Sequence, residues 1–135
     1  MSSVFLNTFP FGAGITSSEA IATCVPVVVD ASRSSVLHLG LAQVRRLGED
    51  FEADLIVNGK VGDYVERAVT IANLDSYQGT TNVRLLPEEE TKYGKLYAYR
   101  NALCRRKERL LGNDTATEVA EEWANFLKSI ALPHK

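Results

Sequence analysis

Histidine and cysteine are scarce in this sequence, two of each in 135 residues, and neither pair clusters. There is no CxxC and no His-flanked cysteine, so the donor spacing of a metal site is missing. A nucleophile-elbow pattern is missing as well. Long apolar runs are absent: the longest, Cys24–Val29, contains Pro26 and is far too short to cross a bilayer. Met1–Phe5 has neither the basic start nor the apolar centre of a secretory signal. Charge of one sign is lacking too, with 15 Lys and Arg against 17 Asp and Glu and a net charge of -2. Only Arg105, Arg106, Lys107 and Arg109 form a dense basic run, which reads as a solvated helix face rather than a nucleic-acid footprint. The expectation is a soluble cytoplasmic chain with no membrane span and no nucleic-acid partner. Cys24 and Cys104, both in apolar helical contexts, are expected as buried, reduced thiols.

What is present is enough apolar material, 45% of the residues, for one globular domain over residues 1–135. Val4–Leu6 reads as a short strand and Asn7–Gly14 as a structured loop rich in aromatics, Pro and Gly. Thr16 with Glu19 three residues later matches a capping box, followed by a helix to about Cys24. Pro26–Val29 is apolar on both faces, the mark of a strand inside a parallel sheet. Asp30–Ser34 is turn-like, Ser35 to Gly48 predicts a helix, and Asp54–Val57 a third strand. Tyr64 to Ala72 carries an apolar stripe at three-to-four spacing. The segment from Asp75 to Glu90 has no period, and a loop insertion is expected over residues 75–92. Tyr93–Leu111 and Thr115–Leu132 predict two closing helices, the second amphipathic through Val119, Trp123, Phe126, Leu127 and Ile130.

This alternation predicts an α/β fold with right-handed crossovers: a partial Rossmann-like three-layer domain with a short parallel sheet and C-terminal helices. Three strands fall below the usual sheet of about four to six, and Met1 stands directly before the first. The expectation is therefore part of a domain, whose exposed apolar edge and face favour self-association or docking on a missing half.

In open α/β sheets ligands sit beyond the carboxyl ends of the strands. The loop there, Gly12, Ala13, Gly14 and Ile15 leading into Thr16 and Ser17, combines small residues with hydroxyls ahead of a helix start. It fits either a capped turn or a cradle for a diphosphate, held by free N–H groups and the positive dipole end. Glu19, one turn on, is either a dipole-stabilised carboxylate or a bidentate acceptor for the vicinal hydroxyls of a ribose. Arg33 after the second strand suits a phosphate or a local cap, and Asp30 lies at the same edge. Tyr64 and Trp123 read as core, Tyr77 as loop surface and His38 as a structural member of an apolar helix.

Phe9-Pro10-Phe11-Gly12 followed by Glu19 to Val28, with the acidic residue seven positions before Pro26, resembles the core motif of B-type glycosyltransferases. Within that group the chain is most similar to the protein O-GlcNAc transferases and their bacterial N-glycosyltransferase relatives. Ala31-Ser32-Arg33, Leu41-Ala42-Gln43, Asp54–Val57 and Asp63–Val69 agree in order, so the likeness spans roughly Phe5 to Ala72. It departs where relatives carry His-Thr-Thr and this chain has Gly14-Ile15-Thr16, and where they often carry Asp and this chain has Asn7.

The resemblance implies a metal-independent, inverting transferase that binds a UDP-sugar, with UDP-GlcNAc the expected donor and a protein side chain the acceptor. Glu19 matches the ribose ligand, and Thr16 and Ser17 match the phosphate-binding turn. In such enzymes the acceptor-binding domain and a key lysine precede this segment, so the chain alone is expected to bind donor without turnover and to hold no catalytic residue. Another B-type hexosyltransferase, acting on saccharide or lipid, and a non-catalytic nucleotide-binding or interaction module are the alternatives.

Overall fold

The computed structural model describes residues 3–8, 12–32, 38–76 and 93–131. Arg33, Tyr77 and nearly all of the 75–92 segment lie outside the described residues. The chain begins with β1 (Phe5–Leu6), α1 (Gly14–Ala22) and β2 (Val27–Asp30), followed by α2 (Leu39–Leu47) and α3 (Glu49–Leu55). β3 (Ile56–Val57) and α4 (Val61–Ala72) come next, and α5 (Lys95–Arg106), α6 (Glu108–Leu111) and α7 (Asn113–Ala131) close it.

The three strands form one parallel sheet in the order β1-β2-β3. Phe5 and Leu6 stand opposite Val27 and Val28, while Val29 and Asp30 stand opposite Ile56 and Val57. β2 is central, and Val27, Val28 and Val29 are fully buried as its β-branched run foretold. Ile21 of α1, Val44 and Leu47 of α2, Ile71 of α4 and Leu103 of α5 close over it in a single core. The fold is thus α/β and mostly helical. No helix among the described residues is long and apolar enough to cross a membrane.

Several expectations are corrected. The third strand begins at Ile56, because Glu49–Leu55 folds as α3. Glu49, Asp50 and Glu52 suit the positive end of that helix, and Phe51 and Leu55, one turn apart, are both buried. His38 sits at the N-cap of α2 rather than inside it. The expected helix at 93–111 is divided into α5 and α6, with Lys107 between them. α7 extends away from the core: Trp123 is 59% exposed, and Val119, Phe126 and Leu127 are exposed with it. An amphipathic stripe requires a partner surface, and no such surface meets this one within the described residues. Arg46 of α2 pairs with Glu118 at 2.5 Å, a surface contact worth little on its own.

The cysteines are not separate thiols. Cys24 and Cys104 are joined in a disulfide, their Cα atoms 5.2 Å apart across 80 residues of sequence. α5 packs along the end of α1 and brings together two residues whose spacing carries no signal of pairing. Arg100 Nε donates to the Cys24 carbonyl at 2.9 Å and Lys107 Nζ to the Ala22 carbonyl at 2.9 Å. Both cations thus satisfy carbonyls left open where α1 ends.

Candidate functional site

Three segments meet beyond the carboxyl ends of β1 and β2: residue 7, the start of α1 and the start of α2. Asn7, the first residue after β1, organises them. Its Oδ1 accepts the Ala13 N–H at 2.9 Å and lies 3.5 Å from the Ser17 hydroxyl. The Asn7 carbonyl accepts the Tyr64 hydroxyl of α4 at 2.8 Å. The Asn7 side chain lies against Gly40 so closely that a Cβ there would approach its amide to 2.9 Å. Residue 40 is therefore small for the sake of residue 7.

The first turn of α1 is braced from α2. Gln43 Nε2 donates to the Gly14 carbonyl at 2.9 Å and to the Ser18 hydroxyl at 2.7 Å. A Cβ on Gly14 would come within 2.7 Å of Leu39 Cδ1, so the two helix starts meet at a residue without a side chain. The expected capping box is not formed: the helix begins at Gly14, two residues before Thr16, and no side chain caps it. Asn7 reaches in from the strand end instead and takes the Ala13 N–H.

The predicted site residues divide into two groups. Gly12, Ala13 and Gly14 form the half-buried lead-in, with the Gly14 N–H turned back to the Gly12 carbonyl at 3.0 Å. Ser17 is fully buried, and its hydroxyl is committed to the Ala13 carbonyl, so it fastens the turn from inside. Ile15, Thr16 and Glu19 share the opposite, solvent-facing side of α1, Ile15 being 79% exposed. Among the described residues the Ile15 and Thr16 N–H groups have no hydrogen-bond partner. These two donors lie at the positive end of the helix, and the exposed Glu19 follows one turn later.

Asp30, at the end of β2, accepts the Ser32 N–H at 2.9 Å and the Ser32 hydroxyl at 2.5 Å, shaping the adjoining turn. Burial pushes the Tyr64 hydroxyl above its ordinary value, and the Asp30 charge adds to the effect, so Tyr64 stays a neutral donor to Asn7 at physiological pH. Gln43 Oε1 is buried without a partner among the described residues. No group of three or more His, Cys, Asp or Glu among the described residues is arranged to hold a metal ion.

Asn7, Gln43 and Tyr64 build the frame, and reasoning from residue type gave them little weight. Position was the available signal for Asn7, since the residue after a parallel strand faces the ligand edge. Gln43 and Tyr64 carry no local signal, because each acts across more than twenty residues of sequence. In comparisons with family models, curated proteins and solved structures, the chain matches none.

Proposed function

We propose that this chain is the donor-binding part of a B-type glycosyltransferase and grips a UDP-sugar, UDP-N-acetylglucosamine in the first instance, for transfer to a protein side chain. The observation that carries the reading is the outward face of α1. There the Ile15 and Thr16 N–H groups and the Glu19 carboxylate stand one turn apart at the edge of a parallel sheet. In this assignment the helix start holds the diphosphate, the small Gly12–Gly14 lead-in lets it come close, and Glu19 accepts two hydroxyls of the ribose. The fold is then a partial Rossmann-like unit, with the nucleotide crossing the ends of β1 and β2.

The chemistry follows from charge. As the glycosidic bond to phosphate breaks, negative charge grows on the departing diphosphate, and fixed backbone dipoles stabilise it without reorganising. The brace from Gln43 and Asn7 keeps those dipoles aimed. Ser17 contributes by holding the turn from beneath, and Thr16 remains the exposed hydroxyl donor.

Calorimetric titration with UDP tests the assignment. The parent chain binds, and Glu19→Ala weakens binding by about 1–3 kcal/mol, or roughly 5- to 150-fold. Failure of the folded parent to bind UDP, or equal affinity in parent and variant, would remove the basis for the reading.

A further inference from the structure

The disulfide lies at the other end of the nine-residue α1 from the candidate site's helix start and forms part of the wall of an open cleft. The cleft encloses about 420 Å³, the size of a small-molecule pocket. Tyr93 and Tyr97, with ring centroids 5.0 Å apart, line it together with Arg100, Asp75 and both cysteines. Cys24 is buried, whereas Cys104 is half-buried and so is the more exposed residue of the pair.

The charges around the bond favour exchange. Arg100 and Cys104 of α5 and Lys107 at its C-cap fall four and three residues apart and so share one helix face. Cys24 follows the last turn of α1, where the negative dipole end would oppose a thiolate. Arg100 and Lys107 offset that field, since both donate to the carbonyls of residues 22–24. Cations beside a sulfur lower its thiol pKa and make it the better leaving group. Arg100 spends its Nε–H and one Nη2–H on these carbonyls, and among the described residues its other three N–H donors have no partner. Asp75, the acid in the cleft, accepts the Leu96 N–H at 3.2 Å and caps α5.

We propose that this cleft is a thiol-exchange site for a small thiol bearing a carboxylate. The carboxylate binds the free edge of Arg100, and the aliphatic part of the molecule rests on Tyr97. The incoming thiolate attacks Cys104 Sγ, forming a mixed disulfide as the bond to Cys24 Sγ breaks. Cys24 leaves with the bonding pair as a thiolate and takes a proton from water. Returning that proton to water regenerates the Cys24 thiolate, whose attack on Cys104 Sγ expels the small thiolate and restores the starting state.

The test uses the intact folded chain and three thiols at equal thiolate concentration: 3-mercaptopropionate, 2-mercaptoethanol and cysteamine. Reactions are quenched by alkylation and read by intact mass and peptide mapping. One adduct on Cys104 is expected. Each rate is divided by the same thiol's rate with a small linear disulfide, which removes the difference in intrinsic nucleophilicity. So normalised, the adduct forms about tenfold faster with 3-mercaptopropionate than with cysteamine, the scale of one charge-assisted contact. Arg100→Gln, checked by circular dichroism for retained fold, brings the ratio close to one. The ranking of the three thiols on the parent chain stands even if that variant does not fold. Adducts on Cys24, exchange only under denaturing conditions, equal normalised rates for the anionic and cationic thiols, or two free thiols in the oxidised preparation would each overturn the proposal.

Discussion

Replacing Asn7 by alanine tests the organisation of the candidate site most directly. The substitution removes Oδ1, the acceptor 2.9 Å from the Ala13 N–H, and leaves that half-buried donor without its partner. The Ser17 hydroxyl is spared, because it keeps the Ala13 carbonyl, and the Tyr64 bond is spared because it goes to the Asn7 backbone. One unmet, partly solvated donor costs about 1–2 kcal/mol, near the lower end of the range for buried groups. In a chain of this size that lowers Tm by roughly 4–7 °C. Asn7→Asp keeps the acceptor and adds a negative charge near the start of α1. Its cost is therefore expected to stay within about 0.5 kcal/mol, with any dipole gain of similar size. Denaturant unfolding of the three proteins, read by circular dichroism, gives the comparison. Equal losses in both variants would mean that the shape of the amide matters and its oxygen does not. A loss under about 0.5 kcal/mol for Asn7→Ala would mean that Asn7 does not hold the turn.

Two further predictions concern the core and its titration. Trp123→Ala is expected to change stability by less than about 0.5 kcal/mol, since the ring is 59% exposed, whereas Phe51→Ala in the core costs about 3–5 kcal/mol. Comparable losses in the two, measured by urea unfolding, would contradict the placement of α7. Burial pushes the Tyr99 hydroxyl well above its ordinary value, the Asp54 charge adds to this and Arg67 acts against it. The hydroxyl lies beside Asp54 without the alignment of a full hydrogen bond. Above pH about 10 the unfolded chain releases this proton and the folded one retains it, so stability is complete below that pH and falls as the pH climbs toward the folded value. Tyr99→Phe should therefore show a shallower decline between pH about 9 and 11, and identical slopes would refute the assignment.

Much of the fold was legible because its signals are local. The Val27–Val29 run demands burial on both faces, and the small residues at 12–14 mark a strand-to-helix passage wherever they occur. The α4 stripe likewise follows from three-to-four spacing alone. Boundaries suffered where two signals competed. Thr16 and Glu19 spell a capping box, yet Asn7 and Gln43 reach the same turn from elsewhere in the chain and start the helix two residues earlier. Asp54 and Leu55 look like the start of a strand but complete the acidic-led turn that buries Phe51.

By itself the sequence determined the α/β alternation, the central buried strand and the loop whose small residues allow close approach, because each depends on neighbours within a turn or a strand. Tertiary structure alone decided three other matters. It turned Ser17 inward while leaving Ile15, Thr16 and Glu19 outward, since the orientation of α1 is set by contacts from α2. It left the apolar face of α7 open, because amphipathic spacing specifies a stripe and does not supply its partner. It joined Cys24 to Cys104 across 80 residues, a pairing that depends on where α5 comes to rest and that no spacing rule contains.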